Sequence, residues 1–84
     1  MEYSDILIKL KLLIEGYLDE AVQSEMIGFE TKIQERLDSF ASLSFLMEVE
    51  STFSVSLPKE VFYEEERQTL SWLAEYLHAS LDGG

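Results

Sequence analysis

Only one proline and four glycines occur in 84 residues, and two of those glycines are the terminal Gly83-Gly84. Pro and Gly are the main breakers of regular structure, so a chain this poor in them and rich in Leu, Glu and Lys is committed to helix. Ser4 reads as an N-cap with Asp5 beside the helix dipole, opening a helix that runs to about Leu18. Ile6, Leu10, Leu13, Ile14 and Tyr17 form its apolar stripe, while Leu7, Ile8 and Leu12 widen the apolar surface beyond one face. From Asp19 to Leu37 the periodicity weakens. Ala21, Val22, Met26, Ile27 and Phe29 are scattered among charges around Gly28. A long loop is expected there, with a helical turn or two where Ile33 and Leu37 stand four apart; loops of this length usually serve a function.

A second helix is expected from Asp38 or Ser39 to about Thr52. At 100° per residue it carries two apolar stripes: Phe45, Leu46, Val49 and Phe53 on one face, and Phe40, Leu43 and Met47 about 130° away. The first stripe is the core. The second is either covered by the long loop or left exposed for a partner, burial being the commoner fate of any single Phe, Leu or Met. Pro58 makes Ser54 to Leu57 an extended connector. Val61, Phe62 and Tyr63 anchor one short helix inside 59–66, and Thr69 caps a last helix to about Leu81. Leu70, Leu73, Ala74, Leu77 and Leu81 face inward there, with Trp72 and Tyr76 on a flanking face.

At this length the chain forms one domain with a thin core, folding burying only about 60–65% of the open chain's surface. Apolar residues at 46% and aromatic residues at 12% are too many for a disordered segment. Seventeen acids against six bases give a net charge of −11, which opposes nucleic-acid and anionic-membrane binding. No cysteine is present, so disulfides, thiolate metal sites and cysteine catalysis are excluded. Acids occupy Met1 to Asp5, where a signal peptide needs bases, and Lys9, Lys11 and Glu15 interrupt the apolar stretches. A cytoplasmic monomer is the expectation.

Catalytic constellations are nearly absent. His78 is the lone histidine and reads as a surface or helix-end residue. Glu64-Glu65-Glu66 lacks the alternating ligands of a calcium loop and reads as a solvated run. Glu48 and Glu50, two apart on a helix, do not face each other as an acid–base pair would. The Gly-Gly terminus evokes ubiquitin-like chains, but no alternating strand pattern accompanies it. One constellation rises above this background: Asp38-Ser39 at a helix start, a hydroxyl beside amides and a dipole that favour phosphate. The plain alternative is that Asp38 or Ser39 only caps the helix.

In these residues the chain resembles the acyl and peptidyl carrier proteins. Asp38-Ser39-Phe40 resembles the family's Asp-Ser-Leu-type motif. Leu43, Phe45-Leu46, Val49-Glu50, Phe53, Val55 and Leu57-Pro58 follow its hydrophobic-Glu-x-x-Phe-x-hydrophobic-x-hydrophobic-Pro pattern. Thr69-Leu70 and Tyr76-Leu77 resemble the pairs that open and close its last helix, so the likeness spans about residues 33–77. Arg36-Leu37 replaces the usual glycine before Asp-Ser, a string closer to discrete aminoacyl carriers, including the D-alanyl type, or specialised acyl carriers than to fatty-acid synthase carriers. The stretch between Pro58 and Thr69 is slightly longer than in fatty-acid carriers. The helix after Ser39 also has only Glu48 and Glu50 where fatty-acid carriers are strongly acidic.

The resemblance implies an all-α antiparallel, right-handed bundle of three main helices plus one short helix, with a long first loop. It implies no catalysis by the chain itself. A phosphopantetheinyl transferase would attach 4′-phosphopantetheine, taken from coenzyme A with Mg²⁺, to Ser39 beside Asp38. A loading enzyme and a downstream transferase or synthase would then exchange an acyl or aminoacyl thioester on that arm, with Phe40, Leu43 and Met47 as partner contacts. The alternatives are a general fatty-acid-type carrier and a non-carrier acidic helical adaptor in which Ser39 is only a cap.

Overall fold

A computed structural model describes residues 2–18 and 28–82. Among the described residues there are three α-helices and three short 3₁₀ turns. The helices are α1 (Tyr3–Glu15), α2 (Ser39–Phe53) and α3 (Leu70–Asp82), with 3₁₀ turns at Ile33–Glu35, Lys59–Phe62 and Glu65–Arg67. Among the described residues there is no strand, and no helix is long and apolar enough to cross a membrane. The expectations for Ala21, Val22, Met26 and Ile27 lie outside the described residues.

One core gathers the apolar stripes. Ile6, Leu10 and Ile14 of α1 meet Phe45, Leu46, Val49 and Phe53 of α2, and Leu70, Leu73, Ala74 and Leu77 of α3; all are buried. Helix α1 packs against both other helices, more extensively against α3. The connections contribute Ile33, Leu37, Leu57 and Val61 to the same core. Burying a side chain of this size stabilises by about 1.5–3 kcal/mol, so the short connections help to hold a small domain together.

Several boundaries differ from the sequence expectation. Ser4 is not the cap: the Ile6 amide already bonds the Glu2 carbonyl at 3.1 Å, which places Ser4 inside the first turn. Helix α1 also stops at Glu15 rather than near Leu18. From Gly16 to Leu18 the amides reach back only three residues, so the α-helical register tightens and ends. The expected turn near Ile33 and Leu37 is the first 3₁₀ turn, and both side chains are buried.

In place of one short helix inside 59–66 there are two 3₁₀ turns. Val61 is their buried anchor, Phe62 is half-buried, and Tyr63 is exposed. Thr69 caps α3 as expected, its Oγ1 accepting from the Trp72 amide at 3.1 Å. Leu81 is exposed rather than inward, because the core contributed by α3 ends one turn earlier at Leu77. His78 is half-buried, its ring edge-on to Tyr3 of α1 at 6.3 Å.

Candidate functional site

The start of α2 is built by Asp38. Its backbone is extended (φ −72°, ψ 173°), and its Oδ1 accepts from the Ala41 amide at 2.7 Å while its carbonyl accepts from Ser42 at 2.9 Å. Asp38 is therefore the N-cap, and Ser39 is the first helical residue with its side chain exposed. The amides at such a first turn have no helical partner behind them and, with the dipole, favour an anion. Of the nearby hydroxyls, Ser42 is buried and Ser44 half-buried, so Ser39 is the accessible one at this helix end.

The second stripe of α2 is exposed and begins at the same end. Phe40 is 80% exposed, Leu43 45% and Met47 57%, and they rise along one face from Ser39. Both carboxylates of α2 are held by the fold. Glu48 Oε1 accepts from the Tyr17 hydroxyl at 2.9 Å, and Glu50 Oε2 accepts from the Leu57 amide at 2.7 Å. The exposed surface that rises from Ser39 is thus apolar.

Burial, reinforced by the hydrogen bond to Glu48 and the charge of that carboxylate, raises the Tyr17 hydroxyl above its ordinary pKa. The Tyr17 ring also meets Phe45 edge-on at 6.0 Å, so the end of α1 is pinned to the middle of α2.

Two further supports, Gln68 and Glu50, are not singled out as site residues by the sequence. Gln68 is buried; its side-chain Nε2 donates to the Val61 carbonyl at 2.7 Å, and its backbone carbonyl accepts from the Ile33 amide at 2.7 Å. It ties the segment leading to Ser39, the 3₁₀ turn at Lys59–Phe62 and the start of α3. Glu50 holds the amide just before Pro58; the only sequence signal for it is its place in the family-like pattern.

Other chemistry is not assembled nearby. Among the described residues no three His, Asp or Glu side chains converge to hold a metal ion. A surface hollow of about 260 Å³ is lined by Tyr3, Trp72 and the carboxylates of Glu30, Glu66 and Glu75, among others, and Ser39 takes no part in it. No known protein family, curated protein or solved structure matches this chain.

Proposed function

We propose that this chain is a carrier protein of the acyl and peptidyl carrier type, bearing 4′-phosphopantetheine on Ser39 and presenting an acyl or aminoacyl thioester to the enzymes of a specialised pathway. The observation that carries the reading is the exposed Ser39 hydroxyl on the first residue of α2, relieved of capping by the adjacent Asp38. Bound there, the arm supplies a thiol that a chain without cysteine lacks, and tethering keeps the activated carbonyl at high effective concentration.

The residues fit such a group. Ser39 offers the hydroxyl for a phosphodiester, the N-terminal end of the helix dipole favours its negative charge, and Asp38 fixes the turn by capping the Ala41 amide. The acyl-carrier-like arrangement of the bundle belongs to this proposal, as do a transferase that uses coenzyme A and Mg²⁺, the loading enzyme and the downstream enzyme. Phe40, Leu43 and Met47 offer those partners an apolar face in place of an acidic one, which favours a specialised carrier over a fatty-acid synthase type. The capping bond belongs to Asp38, so Ser39 is not itself the cap; a helix capped by Asp38 beside an exposed Ser39 is the adaptor alternative that the modification experiment separates from the carrier.

Intact mass after incubation with coenzyme A, Mg²⁺ and a promiscuous phosphopantetheinyl transferase tests the proposal. Wild-type protein gains one phosphopantetheine; Ser39→Ala, with unchanged helicity by circular dichroism, gains none; Ser42→Ala and Ser44→Ala still gain one. Modification of Ser39→Ala, or wild-type protein that resists the transferase, returns the assignment to an acidic helical adaptor. Loading assays with amino acids, short acyl groups and long fatty acyl groups then separate the specialised carrier from the fatty-acid type.

A further inference from the structure

We infer that Phe45 closes the interior of the bundle to cargo, so that the group carried on the arm stays outside and is of the aminoacyl or short acyl class rather than a long hydrocarbon chain. This rests on the carrier reading of Ser39. The core face of α2 runs on from Ser39 through Ser42, Phe45, Leu46 and Val49, all buried, and a chain entering the bundle from Ser39 meets this face. Phe45 is the largest of the fully buried side chains among the described residues. Around it, Ile33, Val49, Val61, Leu70 and Leu73 of the same core are, like Phe45 itself, 0% exposed. A side chain with no accessible surface adjoins no water-sized space, inside the bundle or outside it. Each methylene of an entering chain must therefore displace packed atoms.

The Phe45 ring is also held where it is. Tyr17 meets it edge-on with the ring centres 6.0 Å apart, and the Tyr17 hydroxyl donates to Glu48 Oε1 at 2.9 Å. Glu48 lies three residues after Phe45, so Tyr17 is fastened to α2 beside the ring that it abuts. Moving Phe45 toward Tyr17 displaces a ring that its own hydrogen bond ties down. Ser42, one turn from Ser39, adds a second barrier, because its Oγ is buried without a partner. A hydrocarbon passing it supplies no hydrogen bond, and a buried hydroxyl left without one is costly.

A long alkyl chain shut out of the core stays in water with its apolar surface uncovered. An aminoacyl or short acyl group has little such surface to hide. Phe45 thereby selects cargo by size and polarity.

The test places cargo at position 39 without a transferase. The chain has no cysteine, so Ser39→Cys introduces a single thiol. Its thiolate displaces bromide from a bromoacetamide whose pantetheine-length spacer ends in an acetyl, glycyl or octanoyl amide. Thermal unfolding and amide NMR shifts are compared for the three conjugates. All three melt within about 1 °C of one another, and the amides of Ile33, Phe45 and Leu73 keep their shifts, since a group that does not bind the folded interior adds no stability. Phe45→Leu in the same background keeps an apolar side chain, removes part of the ring and admits the longer chain. Its octanoyl conjugate melts about 3 °C or more above its acetyl conjugate, with shifts at the same amides. Phe45→Met takes its place if Phe45→Leu does not fold.

An octanoyl conjugate that melts several degrees above the acetyl one with Phe45 intact, and shifts those core amides, overturns the inference, because the bundle then admits the chain. The same rise with shifts confined to Phe40, Leu43 and Met47 overturns it too, since the long chain then finds cover on the outer stripe. Conjugates of the Phe45 variant that melt together remove Phe45 as the selecting residue. The conjugates are made chemically, so a failure here leaves modification of Ser39 by a transferase untouched, and a failure of that modification leaves these measurements unchanged.

Discussion

At the scale of single residues, neighbouring Asp38 and Ser39 have separate duties. The Asp38 carboxylate ends the helix by bonding the Ala41 amide at 2.7 Å, and the Ser39 hydroxyl is left to solvent. Asp38→Ala is therefore expected to cost about 0.5–2 kcal/mol of folding stability. Ser39→Ala, at an exposed position without a capping bond, is expected to stay within about 0.5 kcal/mol of wild type. Urea unfolding of the two variants checks this, and an equal loss in both would mean that Ser39 shares the cap. The Asp-Ser pair and its place at a helix start are legible in the sequence. Which of the two caps is not, because either side chain can reach the first-turn amides and only the backbone angles at Asp38 settle the choice. Ser42 shows the same limit: its hydroxyl is buried with no partner, although nothing in its neighbours separates it from Ser44.

At the scale of an element, α2 is held at both ends by local chemistry of opposite kinds. Its start uses a side-chain acceptor; its end uses a left-handed residue. Ser54 has φ 56° and ψ 44°, and this turn lets the Val55 amide bond the Glu50 carbonyl at 3.1 Å. That region is unfavourable for a residue with a Cβ and open to glycine, which commonly ends helices in this way. Ser54→Gly is accordingly expected to stabilise the protein by about 0.5–1 kcal/mol after glycine's extra chain entropy is counted. In a domain of this size that appears in thermal unfolding as a rise of about 4–8 °C per kcal/mol. A lowered melting temperature would show that the serine hydroxyl contributes more at this cap than the strain costs. The same turn delivers Leu57 to the Glu50 carboxylate, so the connector before Pro58 is fastened to the helix it leaves.

At the scale of the whole molecule, the long-range contacts decide how the helices are held, and the Tyr17–Glu48 bond is one that pH can probe. The folded state raises the Tyr17 pKa, by burial first and then by Glu48, so it retains the phenol proton where the unfolded chain has lost it. The stabilisation is complete below the unfolded value, about 10, and is lost as pH rises from there through the raised folded value. The stability difference between wild type and Tyr17→Phe, measured by urea unfolding, should thus be constant from pH 7 to 9 and shrink above pH 10. A difference that grows with pH would overturn this account. The sequence by itself determined the helical class, the three buried stripes, the extended connector before Pro58 and the Thr69 cap, because periodicity, Pro stereochemistry and capping act within a few residues of one another. Only the tertiary structure decided that α1 stops at Glu15, that Leu81 lies past the core, and that Phe40, Leu43 and Met47 are uncovered. It also decided that Gln68 joins three segments and that Glu48 and Glu50 act as internal acceptors. Those outcomes depend on which surfaces meet across separations of many residues, and an amphipathic pattern states that a face is apolar without stating what, if anything, covers it.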